Sequence, residues 1–176
     1  MAILARINHQ LASGIIGLCR RRQEGESVAI SNLLDESLIA FLNVEDRNAA
    51  IHELVQVLDR AGKLQDAALF QKAILEREKI VSTGIGMGVA IPHAKLDGFS
   101  DFFIAVGISS KKGIDWNALD KEPVHLIFMI GGPEKEQTRY LHILSNLTSA
   151  IKDSERRKKI LKASTPKQVI DLFEGR

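Results

Sequence analysis

Between Ser82 and His93 three glycines stand at alternate positions, Gly84, Gly86 and Gly88, and the chain then runs through Val89-Ala90-Ile91-Pro92 into a histidine. Alternating glycines let the main chain turn tightly and come close to a ligand, at a cost in backbone entropy that a purely structural loop seldom needs three times over. The stretch is therefore expected to be a loop holding an imidazole beside bare backbone N–H groups. Phosphate is the ligand such loops most often meet.

Around this loop the apolar pattern alternates between short runs and helical faces. Leu38 to Leu42, Phe102 to Ile108 and Val124 to Ile130 read as buried strands, the last continuous enough to lie in the middle of a sheet covered on both faces. Asp46 is placed to cap a helix whose apolar face is Ile51, Leu54, Val55 and Leu58 and which Gly62 ends. Asp66 caps a second helix, through Leu69, Ala73 and Ile74, that runs into a charged turn, Glu76-Arg77-Glu78-Lys79, just before the glycines. Later, Glu136 to Lys152 carries Tyr140, Leu144, Leu147 and Ile151 at helical spacing, Asp153-Ser154 opens a short basic helix, and Thr165-Pro166 starts a last one. Strands interspersed with helices predict an α/β domain, with a mixed β-sheet sandwiched between helical layers in a single domain.

With 176 residues the chain has room for one such domain plus a modest appendage. The polar stretch Arg20 to Ser27 is expected to be the junction, with residues 1–27 a flexible or loosely docked extension and residues 28–176 the domain. Residues 1–23 hold Arg6, Arg20, Arg21 and Arg22 and no acid, leaving 20 basic against 22 acidic residues in the rest. The body is thus about neutral and has no aromatic-interleaved basic patch, so nucleic acid is not an expected partner. No run reaches the roughly 18 to 20 apolar residues that cross a bilayer. Ile3 to Leu18 is apolar, but its basic residues lie within and after it, the reverse of a secretory signal. Membrane-surface contact by this segment is the minor alternative. The one cysteine, Cys19, fits a reducing compartment, and the cytoplasm is the expected location.

Two nucleotide readings of the glycine run fail. A Walker A loop needs lysine and then serine or threonine after its last glycine, whereas Gly88 is followed by Val89-Ala90. A dinucleotide fingerprint needs Gly-x-Gly-x-x-Gly leading into a helix, whereas the spacing here is Gly-x-Gly-x-Gly before a strand-like segment. The third reading makes His93 the phosphate carrier. Neutral imidazole is a good nucleophile near pH 7, and phosphoryl transfer asks the protein mainly for in-line positioning and charge neutralisation. Main-chain groups of Thr83, Gly84 and Gly86, with Arg77 upstream, are expected to bind the phosphate without a metal or other cofactor.

Thr83-Gly84-Ile85-Gly86-x-Gly88-Val89-Ala90-Ile91-Pro92-His93, with Arg77-Glu78 before it, resembles the enzyme IIA domain of the fructose/mannitol class of the bacterial phosphoenolpyruvate-dependent phosphotransferase system. The resemblance runs over about residues 28 to 174, including Pro123-Val124 and the Leu-x-x-Leu helix from Leu141. It implies that His93 accepts a phosphoryl group from the phosphocarrier protein HPr and that Arg77 contacts the phosphohistidine. Met87 stands where asparagine is common in the family and Ala94 where glycine is common. Family members also carry a second, phosphate-binding histidine at a position that matches Tyr140 here, two residues before His142. Residues two apart on a helix lie about 200° apart, so only one of Tyr140 and His142 faces the site, and a register shift restoring His142 stays open. A tyrosine hydroxyl donates a hydrogen bond to phosphate but cannot become cationic.

Read as a form without enzyme IIB or IIC regions, the chain most resembles the nitrogen-regulatory branch, with regulatory protein targets. A sugar-transport enzyme IIA that serves a separate enzyme IIB for fructose- or mannitol-type uptake is one alternative, and a non-catalytic binding module on the same fold is another. His9, His52 and His125 are expected outside the site, and a single cysteine leaves no zinc-ligand cluster. Glu76 and Glu78 read as a solvated helix end, and Glu155 to Lys159 as a solvated helical face.

Overall fold

The computed structural model describes residues 29–174, so the readings on residues 1–27 lie outside the described part. Its strands are β1 (Ile39–Phe41), β2 (Gly84–Gly86), β3 (Val89–Ala90), β4 (His93–Leu96), β5 (Phe103–Ile108) and β6 (Leu126–Pro133). Five α-helices accompany them: α1 (Arg47–Arg60), α2 (Ala67–Ile80), α3 (Gln137–Lys152), α4 (Ser154–Lys162) and α5 (Pro166–Asp171). The side chains of Asp46, Asp66, Asp153 and Thr165 accept N–H bonds from the first turns of α1, α2, α4 and α5, and Gly62 takes a left-handed φ of 67° just past α1.

The sheet is mixed, in the order β1-β5-β6-β3-β2, with β4 also on β6. β5 and β6 pair antiparallel from Phe103↔Gly131 to Ile108↔Leu126, while β3 and β4 both run parallel to β6. These two are one strand interrupted at Ile91-Pro92: Val89 and Ala90 pair with Leu126 and Ile127, and His93 resumes opposite Ile130. Pro92 has no N–H for the ladder, but its carbonyl still accepts from Ile130 N–H at 3.0 Å.

One face of the sheet packs Ile104, Val106, Phe128 and Ile130 against Ile143, Leu147, Ile160 and Val169 of α3, α4 and α5. The other packs Ala105, Ile127 and Met129 against Ile51, Leu54, Phe70 and Ile74 of α1 and α2, with the fully buried Trp116. The predicted helical layers on both faces are present.

Four local expectations change. The strand expected over Leu38 to Leu42 is only β1, preceded by a 3₁₀ turn, and Phe41 is 46% exposed because β1 is the sheet's edge. The charged run Glu76 to Lys79 lies at the helix end as read, but Glu78 in it is buried rather than solvated. The buried face of that helix is Phe70, Ile74 and Glu78, whereas Leu69 is exposed. Finally, the run Glu155 to Lys159 is not wholly solvated. Arg156 donates to the carbonyls of Ala150 at 2.8 Å and Leu172 at 2.9 Å, and Arg157 to those of Ile151 at 2.6 Å and Lys152 at 2.9 Å, satisfying the open C-terminal end of α3.

Candidate functional site

His93 is the first residue of β4 and is partly buried. Alternation along the strand turns Ala94 into the α1–α2 core and puts His93 and Lys95 on the opposite face, toward α3. The imidazole Nδ1 lies 2.9 Å from the carbonyl oxygen of Ile91. A carbonyl only accepts, so Nδ1 carries the proton and the lone pair sits on Nε2. Burial holds the imidazole below its ordinary value of 6.5; the Ile91 bond and the Glu78 carboxylate oppose that, and the charges of Arg77 and Lys95 add to it. Near neutral pH the side chain is a neutral base with one available nitrogen.

Tyr140, one turn into α3, packs its ring 5.5 Å from the His93 ring and stacks on Phe102 at 6.4 Å. Its hydroxyl is pushed above the usual value by burial, against the pull of Arg77, so it stays protonated and able to donate. His142, two residues on, is exposed, so the helix turns Tyr140 to His93 and His142 to solvent. Arg77 lies in the last turn of α2, where its Nη1 donates to the carbonyl of Val81 at 2.9 Å, and it is close enough for its charge to act on both His93 and Tyr140.

The glycine run is a β-hairpin rather than an open loop. β2 and β3 pair antiparallel, and Met87 and Gly88 turn between them at φ of 60° and 73°. Its polar groups are largely engaged. Thr83 donates both its N–H, at 3.3 Å, and its hydroxyl to Glu78, and accepts from the Trp116 indole N–H at 3.3 Å. Gly84 N–H donates to Ser82 Oγ at 3.2 Å, its carbonyl accepts from Leu119 N–H at 3.1 Å, and a Cβ on it would meet Ala118 at 2.8 Å. Gly86, at φ 87°, passes over Asp120, whose carboxylate also takes Met87 N–H at 2.8 Å. The expectation of bare N–H groups at Thr83 and Gly84 is therefore corrected: they tie the hairpin to α2 and to the segment carrying Trp116 and Ala118.

Two site residues escaped the sequence reading. Glu78 is 4% exposed and, besides Thr83, lies 3.9 Å from Arg47 of α1, so it anchors the turn next to Arg77 instead of lying solvated. Its place four residues after Ile74, itself four after Phe70, was the available signal. Lys95 lies 5.1 Å over the Tyr140 ring and donates to the Gln137 side chain at the start of α3. Its signal was the strand period of two from His93. A cleft of about 480 Å³ between Asn32 and Phe103 does not include His93.

The sequence matches, over residues 32–175, the family described as phosphoenolpyruvate-dependent sugar phosphotransferase system, EIIA 2. It is 43% identical over 146 residues to the PTS system fructose-specific EIIABC component of Bacillus subtilis (strain 168), covering 82% of this chain and 23% of that protein. Against the nitrogen regulatory protein of Bradyrhizobium diazoefficiens it is 31% identical over 137 residues, covering 77% of this chain and 86% of that one. The crystal structure of nitrogen regulatory protein IIA-Ntr from Neisseria meningitidis superposes with a TM-score of 0.75 at 28% identity, over 82% of this chain and 98% of that one.

Proposed function

The chain belongs to the EIIA 2 family of the phosphoenolpyruvate-dependent sugar phosphotransferase system, and on that premise we propose that it carries a phosphoryl group on Nε2 of His93. The observation that supports this reading is the Nδ1–Ile91 hydrogen bond, which leaves the nucleophilic lone pair on Nε2 of a neutral ring. The donor is a phosphohistidine of an HPr-type carrier protein in the cytoplasm. The Nε2 pair forms the new N–P bond, the donor's N–P pair returns to the donor nitrogen, and no water or metal takes part. The proton on Nδ1 stays hydrogen-bonded to the Ile91 carbonyl until the cationic ring releases it to solvent. Arg77 neutralises the moving phosphoryl oxygens, and the Tyr140 hydroxyl offers them one hydrogen bond.

The test is incubation of the full chain with phosphoenolpyruvate, enzyme I and HPr. Wild type gains an acid-labile adduct of one phosphoryl group, and His93→Ala gains none. An adduct on His93→Ala, or none on wild type, rejects the carrier reading and leaves a binding module.

The phosphate's destination has two readings. Likeness over most of the length of nitrogen regulatory proteins favours a regulatory carrier whose phosphorylation state is read by protein targets. The higher identity to a fructose-specific protein favours delivery to an enzyme IIB for sugar uptake. Transfer from the phosphorylated chain to a purified fructose-type enzyme IIB within seconds selects the second, and its absence the first.

A further inference from the structure

We infer that Lys95 is a second phosphate-binding cation of the site, which leaves Gln137 and the Tyr140 ring to pair with the phosphoryl group when His93 carries it. The inference rests on the carrier reading above. Four observations converge on it. Lys95 shares the α3-facing side of β4 with His93, at the spacing that places side chains side by side. Its ammonium is 5.1 Å over the Tyr140 ring, and that ring is 5.5 Å from the imidazole, so the aromatic side chain bridges cation and nucleophile. The Lys95 charge is felt at His93 even without a phosphate, together with that of Arg77. Among the described residues its side chain donates to the neutral amide of Gln137, which a dianionic phosphoryl group outcompetes.

The other groups around the imidazole cannot take this part. Glu78 is an anion engaged by Thr83 and Arg47, and Tyr140 is a neutral donor. Arg139 is drawn to Asp101 at 2.7 Å and Glu136 at 3.3 Å. Arg77 approaches from the end of α2 and Lys95 from β4 itself, so the two cations reach the phosphoryl oxygens from different elements. The side chain is suited to the move: a charge on a flexible stem turns from one partner to another. Phosphorylation thereby breaks the link between β4 and Gln137, the first residue of α3, and a partner docking there meets a different surface in each state.

The test compares wild type, Lys95→Met, which keeps the stem and loses the charge, and Lys95→Arg, which keeps the charge. Each is phosphorylated by the phosphoenolpyruvate–enzyme I–HPr mixture and, separately, by potassium phosphoramidate, a small chemical donor that needs no docking. Lys95→Met is expected to acquire phosphate about tenfold to a hundredfold more slowly from both donors, the factor that loss of one charge-assisted hydrogen bond produces. Lys95→Arg should recover most of that rate, and the unfolding midpoint should match wild type in both variants. Equal rates for Lys95→Met and wild type from phosphoramidate overturn the assignment, as does a loss that Lys95→Arg fails to rescue. A loss confined to the HPr reaction makes Lys95 a docking residue and also overturns it. Absence of any adduct on wild type from either donor rejects the carrier reading, and with it this role; that outcome is distinguished because it concerns the wild-type chain alone.

Discussion

His93 is kept neutral by its surroundings, and that has a consequence for folding. Burial is the largest cause holding the imidazole below 6.5, so as pH falls through that value the unfolded chain takes up a proton before the folded one does. The unfolded state then binds more protons, and stability falls with pH from about 6.5 until the folded imidazole itself protonates. Asp35 and Asp153 are depressed from an ordinary value of 3.8 by hydrogen bonds to the Ser37 side chain and to Arg156 N–H respectively, so what they contribute is lost only below that value, in a separate window. Urea unfolding at pH 7.5 and 5.0 should show wild type losing more stability than His93→Asn, which cannot titrate. Parallel losses in the two proteins would mean that burial does not hold His93 neutral. At this scale the grouping of the candidate site was partly legible: motif and order pointed to His93 and Arg77, and the structure brings the Arg77 charge to act on His93. Glu78 was not legible, because two acids flanking an arginine look solvated until one sees that the buried stripe of α2 ends on the second of them.

The hairpin that precedes His93 is the element in which the sequence reading and the structure part furthest. Alternating glycines suggested an open phosphate cradle, yet they let β2 and β3 fold against Ala118 and Asp120 with no room for side chains. A linear pattern does not show what approaches from a segment some thirty residues later. The turn also carries strain. Met87 adopts φ 60°, a left-handed conformation that asparagine and glycine accept and an unbranched apolar side chain resists, at about 1 kcal/mol. Its side chain is 43% exposed, and the hairpin's bond to Asp120 uses the Met87 backbone N–H, which any residue but proline keeps. Met87→Asn should therefore raise unfolding free energy by about 0.5–1 kcal/mol in urea titrations, with the phosphorylation rate unchanged. A destabilised Met87→Asn would show that the methionine side chain contributes packing that its exposure conceals.

On the scale of the whole molecule, the site is a seam where both helical layers meet one sheet edge. Arg77 and Glu78 arrive from α2, Tyr140 from α3, and His93 and Lys95 stand on β4, whose strand partner among the described residues is β6. The mixed sheet and its two layers were readable from strands and caps, but this convergence was not, since it joins residues up to 63 positions apart, from Arg77 to Tyr140. Two neighbouring glycines in β6 make it testable. A Cβ on Gly131 would run into the ring of Phe103, which packs with Phe70 and Phe99 in the α1–α2 core. A Cβ on Gly132 would run into Phe102, which stacks on Tyr140 and so backs the His93 ring. Overpacking of this kind costs about 1–3 kcal/mol, so Gly131→Ala and Gly132→Ala should both lower the unfolding midpoint. Only Gly132→Ala displaces the wall that positions Tyr140. At a temperature where both variants are folded, it should slow phosphoryl uptake by His93 several-fold while Gly131→Ala keeps the wild-type rate. Equal rates in the two variants would mean that the α3 layer supports His93 only through general stability, and that the stack from Phe102 through Tyr140 to His93 does not position the nucleophile.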